Sequence, residues 1–191
     1  MGRKSTIGRM DSGEYSFAAI DFETANYGRD SACAIGVAIV REGRMVALER
    51  RLIRPPTEEF FFTHIHGLTW EDVRSAPAFA EVWGDLYPAF ADVDFLAAHN
   101  ASFDRGVLNA CCGGHRLSRP TQGFVCTVQV ARSIFNIRPT RLSDVCRHLR
   151  IPLDHHEAGS DAEACARIIL AAAERGWRPS VRQNGTPIIS R

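Results

Sequence analysis

The chain has 191 residues, of which 45% are hydrophobic and 24% are charged, and its formal net charge is +1. This composition predicts one soluble globular domain, and it excludes the strong basic field that would by itself indicate a nucleic-acid partner. No apolar run approaches the roughly 18 residues of a membrane span. The six cysteines form no CxxC pair, so we expect a cytoplasmic protein with reduced thiols and without a disulfide framework or zinc site.

Three strands are predicted in the first third of the chain. Residues 1–14 are polar and predict a loose tail. Apolar runs then predict strands at Tyr15–Glu23 and Cys33–Arg41. Glu42-Gly43 is typical of a tight turn, after which Met45–Ile53 forms the third strand. The domain is therefore expected to begin with a hairpin.

Helices and strands alternate in the middle of the chain. After an irregular segment at 55–77, the sequence predicts a helix at Ala78–Phe90 and a short strand at Asp94–Ala98. Asn100 or Ser102 is expected to cap the next helix, which would end at Gly113-Gly114. This alternation indicates crossover connections within a sheet.

The remaining elements complete the predicted fold. A short strand at Phe124–Thr127 leads into a helix through Phe135, and apolar spacing over Leu142–Leu149 predicts another helix. The order of elements favours a mixed sheet with helices on both sides. No GxGxxG follows the first strand, which disfavours a Rossmann fold.

The last helix and a second tail close the chain. Ser160 and Glu163 match the S-x-x-E capping box and predict the start of a helix that ends at Gly176. Residues 177–191 show little periodicity and predict a C-terminal tail. The ordered domain is therefore expected to cover 15–176.

Two carboxylates in the segment AIDFETANY are unusual for a buried strand. Side chains alternate along a strand, so Asp21 and Glu23 share a face with Phe17 and Ala19. Two like charges on a half-buried surface cost several kcal/mol unless something compensates them. A bound cation is the usual compensation.

Two further acids occupy apolar-facing positions. Asp104 falls on the predicted buried side of its helix, and Asp161 falls in the first turn of the last helix. Taken singly, each is more typical of a surface or capping acid. Together with Asp21 and Glu23 they suggest an oxygen-ligand site for a pair of hard cations, Mg²⁺ or Mn²⁺.

The same residues form three motifs that resemble those of a known family. DFE at 21–23, HNASFD ending at Asp104, and His156-x₄-Asp161 are similar to the motifs of DEDD exonucleases that carry a histidine in the last motif. The resemblance covers about residues 15–175. It implies an α/β ribonuclease H-like fold, with a five-stranded mixed sheet, and 3′-to-5′ removal of nucleotides.

The resemblance also implies roles for the four acids. Asp21 would bridge two divalent cations, while Glu23 and Asp161 would hold the cation that carries the attacking water. Asp104 would help to hold the second cation, directly or through water. Mg²⁺ and Mn²⁺ are the expected cofactors.

A histidine in the last motif is the implied general base. The family spacing of four residues before the aspartate selects His156. His155 competes for the role by proximity, and under this assignment it is expected to be a solvent-facing neighbour. A neutral imidazole can accept a proton from water at ordinary pH.

Five side chains are implied to contact the substrate. Phe22 and Thr24 correspond to residues that contact the terminal nucleotide, and His66 in HIHGLT would lie near the 3′ end. Tyr27 and Phe103 match aromatic positions that stack on bases. The alternative for Phe103 is packing against the sheet, and the alternative for His66 is a structural turn.

Other features allow two interpretations each. Phe60-Phe61-Phe62 is more typical of core packing than of a platform for bases. Arginines at 132, 138, 141 and 147 form either a phosphate-facing rim or a solvated helix face.

The predicted substrate is a single-stranded DNA or RNA 3′ end. The alternatives are an RNA-trimming enzyme of the ribonuclease T or oligoribonuclease type and an accessory module that binds a polymerase or repair partner through the tail at 177–191. A homodimer is compatible with the family. The metal site engages a phosphate that DNA and RNA share, so the motifs leave the choice of nucleic acid open.

Overall fold

A computed structural model describes residues 15–179. The predicted tail at 1–14 and the part of the second tail from residue 180 onward lie outside the described residues. Trp177, at the start of that second tail, packs edge-on against Phe95 with ring centroids 6.3 Å apart. In the part of the chain that is described, no helix has the length and apolarity needed to cross a membrane.

Five strands form one mixed sheet in the order β3-β2-β1-β4-β5. Strands β1, β2 and β3 are antiparallel neighbours, and β4 and β5 run parallel to β1. The strands are β1 (Phe17–Thr24), β2 (Ala32–Arg41), β3 (Arg44–Leu52), β4 (Phe95–Ala98) and β5 (Phe124–Cys126). The predicted five-stranded mixed sheet is confirmed, and the architecture is the ribonuclease H-like α/β fold.

Seven α-helices accompany the sheet in the described residues. They are α1 (Thr63–His66), α2 (Trp70–Val73), α3 (Phe79–Leu86), α4 (Ser102–Gly114), α5 (Thr127–Ile134), α6 (Leu142–Leu149) and α7 (Ala158–Glu174). A 3-10 helix at Tyr87–Phe90 continues α3. The segment at 55–77, expected to be irregular, contains the short helices α1 and α2.

The two faces of the sheet carry separate cores. Ala18, Ile20 and Phe22 of β1 belong to a cluster that includes buried residues of α3 and α4. Phe17 and Ala19 belong to a cluster on the other face, with buried residues of α5, α6 and α7. The predicted alternation of β1 is confirmed, because consecutive side chains of a strand enter opposite faces.

Two predicted helix caps are wrong. Ala101 is the N-cap of α4, and neither Asn100 nor Ser102 caps it, because Asn100 has a left-handed backbone (φ 64°) in the turn before the helix. Helix α7 begins before Ser160: Glu157 is the N-cap, and its Oε2 accepts the amide of Ser160 at 2.7 Å. A carboxylate three residues upstream therefore provides the cap assigned to Ser160.

Candidate active site

The carboxyl end of β1 borders a gap in the sheet. β1 pairs with β2 up to Thr24, but its last residue paired with β4 is Ala19. The backbone of β1 beyond Ala19 therefore lacks a strand partner on one edge. The amide of Phe22 donates instead to Oδ1 of Asp104, on α4, at 3.1 Å. This hydrogen bond brings an acid from α4 to the end of β1.

A second helix brings another acid to the same place. Asp21, Glu23 and Asp161 each offer one carboxylate oxygen, and these three oxygens lie within 4.8 Å of one another. Asp161 is in the first turn of α7, as predicted, and is 4% exposed. The structure therefore brings together three of the four predicted metal ligands, and the fourth, Asp104, adjoins them through Phe22.

Gly36 allows α7 to approach the sheet at this point. It faces Asp21 across the β1–β2 pairing. A Cβ at position 36 would collide with the carbonyl of Ala158 and lie 2.7 Å from the amide nitrogen of Gly159. Sequence analysis did not identify this residue, although a lone glycine inside an apolar strand indicates close approach of another backbone.

Asp104 has an unsatisfied buried oxygen. The residue is 1% exposed, and its Oδ2 has no hydrogen-bond partner among residues 15–179. An unpaired buried polar atom costs about 1–3 kcal/mol, and more when it is charged. A cation beside Oδ2 would remove that cost.

Burial, with repulsion between neighbouring carboxylates added for three of the four acids, raises the pKa values of this group. Burial raises the pKa of Glu23 to about 8, and repulsion from Asp161 and Asp104 adds to the effect. Burial likewise raises the pKa of Asp104 to about 7, against the hydrogen bond from Phe22. The pKa values of Asp21 and Asp161 are also raised, chiefly by burial.

This donor set fits divalent metal ions. All four groups are carboxylates, which favour hard cations such as Mg²⁺ and Mn²⁺. Burial and mutual repulsion disfavour the charged form of Glu23, and Oδ2 of Asp104, which has no hydrogen-bond partner among residues 15–179, offers one more ligand atom. A doubly charged cation would compensate both features.

Two histidines lie beside Asp161. Their rings stack with centroids 3.8 Å apart. His155 was expected to face solvent, but its Nδ1 lies 3.2 Å from Oδ2 of Asp161 while the side chain is 37% exposed. The backbone amide of His156 donates to the same oxygen at 3.1 Å. Burial, with a smaller contribution from His155, lowers the pKa of His156 from its ordinary value.

A cavity of about 450 Å³ opens over these groups. Phe22, Thr24 and Phe103, three of the predicted substrate contacts, line it. The cavity is also lined by Phe62 and Ile65, which sequence analysis did not assign to the site. None of the three phenylalanines at 60–62 is buried, so the expectation that they form core is wrong. The sequence signal that could have assigned the phenylalanines to the site is their position just before the segment HIHGLT, which contains His66.

His66 and Tyr27 adjoin the cavity without lining it. Nδ1 of His66 accepts the amide of Leu68 at 3.0 Å, so its Nε2 donates to the carbonyl oxygen of Thr24 at 3.2 Å. Both ring nitrogens are therefore used within the protein. The Tyr27 ring is 81% exposed and packs edge-on against Phe62, with centroids 4.9 Å apart.

Known proteins are similar to this chain in sequence and in fold. The exonuclease family model (RNase_T) matches residues 18–169. DNA polymerase III PolC-type from Streptococcus mutans serotype c is 28% identical over 167 residues, which cover 84% of this chain and 11% of that protein. The chain thus spans about a tenth of the length of the curated relatives it matches.

Two solved structures have a similar fold. Exonuclease X in complex with 5′ overhanging duplex DNA is 23% identical with a TM-score of 0.69, over 85% of this chain and 94% of that one. The nuclease domain of 3′hExo, a DEDDh family member bound to rAMP, is 17% identical with a TM-score of 0.74, over 92% and 100% of the two chains.

Proposed function

Because the chain belongs to the exonuclease family, we propose that it is a metal-dependent 3′–5′ exonuclease that acts on single-stranded ends and releases nucleoside 5′-monophosphates. The observation that carries the proposal is the convergence of four carboxylates at the end of β1. Exposed acids are common, but buried acids that raise one another's pKa are concentrated at functional sites.

The four acids would hold two divalent cations, Mg²⁺ or Mn²⁺. Asp21, which lies close enough to both Asp104 and Asp161 to feel their charge, would contact both ions, with Glu23 and Asp161 helping to hold one and Asp104 the other. Such a pair supplies charge stabilisation to the attacking and leaving oxygens of a phosphodiester.

His156 would accept the proton of the attacking water. Its ring nitrogens make no hydrogen bond within residues 15–179, and its lowered pKa keeps the ring neutral near pH 7. His155 already contacts Asp161 through Nδ1. We therefore assign His155 to positioning Asp161 and His156 to proton transfer.

The terminal nucleotide would occupy the cavity beside the acids. Phe22 and Thr24 would contact the nucleotide, and Phe103 would pack on its base. His66 would act through Thr24, whose carbonyl oxygen it binds. Tyr27 would stack on a base at the cavity rim, because its exposed ring costs little to cover.

The relatives favour a role beside a DNA polymerase, with RNA trimming as the second candidate. The PolC-type relative is a DNA polymerase III, whereas one structural neighbour is bound to a ribonucleotide. A polymerase or repair partner and a homodimer are both compatible with the described fold.

A time course on single-stranded DNA and RNA tests the proposal. Each strand carries a label at its 3′ or its 5′ end and is incubated with Mg²⁺, Mn²⁺ or EDTA. We expect immediate release of a labelled mononucleotide from 3′-labelled strands, a descending ladder from 5′-labelled strands, and no reaction in EDTA. Asp21→Asn should be inactive and folded. Activity that persists in EDTA or in this variant would refute the proposal.

A further inference from the structure

A second cavity, of about 500 Å³, adjoins the candidate active site. We define it as the arginine pocket, because Arg132, Arg138 and Arg141 line it and no acidic side chain does. It shares Arg141 and His99 with the cavity over the carboxylates. A basic recess is therefore continuous with an acidic site suited to divalent metal ions.

Among residues 15–179, the three guanidinium groups have no carboxylate partner. In the described residues, Arg138 and Arg141 make no side-chain hydrogen bond or ion pair, and Arg132 donates only to Oγ1 of Thr140 at 3.1 Å. By contrast, Arg147 on the adjacent α6 is paired with Asp144 at 2.9 Å. Most of the donors in the pocket are thus free to bind an anion.

The loop that carries Arg138 and Arg141 is fixed to the domain. Nε2 of His99, at the end of β4, donates to the carbonyl oxygen of Thr140 at 2.9 Å. The loop amide of Ile137 donates to Ala131 at 3.1 Å, and the Ile137 side chain is 5% exposed. The backbone that carries Arg138 and Arg141 is therefore fixed before any ligand binds, so that binding need order only the side chains, which lowers its entropic cost.

We infer that the arginine pocket binds backbone phosphates of the cleaved strand on the 5′ side of the scissile bond. This inference rests on the proposed function. The carboxylates and their cations would hold the scissile phosphate, and the cavity with Phe22 and Phe103 would hold the terminal nucleotide. The rest of the strand must leave this cavity, and the shared Arg141 connects it to the arginine pocket.

Guanidinium groups suit this ligand. Each presents a planar fork of N–H donors that matches two phosphate oxygens. Phosphates are present in DNA and RNA alike, so the pocket would add affinity for longer strands without choosing between bases. A substrate with only one phosphodiester bond would not reach it.

The test compares two double variants. Arg132→Gln/Arg138→Gln removes two pocket charges but leaves Arg141, which also lines the first cavity. Arg44→Gln/Arg116→Gln is the matched control, because both residues are exposed and neither forms an ion pair within 15–179; they lie on the far edge strand β3 and just beyond the C-terminal end of α4. Melting temperatures should match the wild type in both.

Binding is measured by fluorescence titration of a labelled single-stranded 12-mer, with Ca²⁺ in place of Mg²⁺ to limit cleavage. The pocket variant should bind about tenfold more weakly than the control at low salt. Its slope of log affinity against log salt should be shallower by about 1.4, or about 0.7 for each lost phosphate contact. Equal affinities and slopes in the two double variants would overturn the inference.

Cleavage separates this inference from the proposed function. The pocket variant should lose about tenfold in kcat/KM on the 12-mer relative to the control, and should keep its kcat/KM on the dinucleotide thymidylyl-thymidine. Equal losses on both substrates would show a general defect and refute the pocket. A wild-type protein that cleaves neither substrate in Mg²⁺ or Mn²⁺ would refute the proposed function instead, while the binding titration still tests the pocket.

Discussion

Replacing Glu23 with glutamine should stabilise the metal-free protein. The carboxyl of Glu23 is partly buried beside Asp161 and Asp104, and this environment raises its pKa from 4.5 to about 8. At pH 8 in EDTA the wild-type protein must either keep a proton on this group or tolerate a repelled charge. The neutral amide of glutamine has the same shape, needs no added proton and is not repelled by the neighbouring carboxylates.

The size and sign of the effect follow from the pKa. Because the folded-state pKa of Glu23 lies above its unfolded value, the contribution of this group to the stability of the metal-free protein is fully present below pH 4.5 and is lost as the pH rises from 4.5 through 8. At 1.36 kcal/mol per unit, the upper bound at high pH is about 5 kcal/mol. Glu23 is partly exposed and water screens the repulsion, so we expect roughly 1–2 kcal/mol.

Thermal unfolding in EDTA at several pH values measures this effect. At about 2–4 °C per kcal/mol for a chain of this size, Glu23→Gln should raise Tm by about 4 °C at pH 8. The difference should shrink below about 1 °C at pH 4.5. Glu58→Gln, which changes an exposed carboxyl group outside the helices and strands, is the control and should show no such trend.

Added Mg²⁺ should reverse the order of stability. The cation binds the folded wild-type protein and stabilises it by mass action, whereas the variant lacks one ligand and gains less. If Glu23→Gln has the wild-type Tm at pH 8 in EDTA, or gains as much from Mg²⁺ as the wild type does, the strained metal site does not exist as described.

Three further outcomes are expected. In rate measurements, His156→Ala should lose most activity with metal affinity largely kept, whereas His155→Ala should keep most activity; equal losses would reject the assignment. In the pH profile, the wild-type rate should fall on acidification as His156 is protonated. This fall should occur below the ordinary pKa of histidine, because burial lowers the pKa of His156. Tyr27→Ala should weaken binding of a labelled single-stranded end in Ca²⁺ about tenfold without changing metal affinity, because stacking contributes about 1–3 kcal/mol per base; an unchanged dissociation constant would remove the stacking role. Gly36→Ala should destabilise the fold by about 1–3 kcal/mol in denaturant unfolding and lower activity by displacing the start of α7, whereas Gly84→Ala, whose Cβ would meet open space, should be neutral or stabilising.

The sequence by itself determined the strands, the longer helices and the chemistry of the acids. The alternation in β1 predicted that Asp21 and Glu23 share a face, because the pleat of a strand imposes a period of two wherever the strand lies. The helical spacing around Asp104 and Asp161 predicted buried positions, and both residues are less than 5% exposed. Strand alternation and helical spacing depend only on residues that are a few positions apart along the chain.

Sequence motifs gave wrong predictions where several residues could fill the same structural role. Ser160 matches a capping motif, but Glu157 lies nearer the true start of α7 and takes its place. The run at 60–62 is as apolar as a core segment, yet none of its three rings is buried. Apolar composition indicates that a segment favours burial, but the packing of the other elements decides whether the core has space for its side chains.

Only the tertiary structure decided how the site is assembled. Because the pairing between β1 and β4 ends after Ala19, the amide of Phe22 is free to donate to Oδ1 of Asp104. Gly36 makes room for the start of α7, which carries Asp161. The arginine pocket forms because His99 at the end of β4 binds a loop some 40 residues further along the chain. These contacts join residues that are far apart in sequence, so their geometry depends on strand order and helix packing, which local periodicity does not encode.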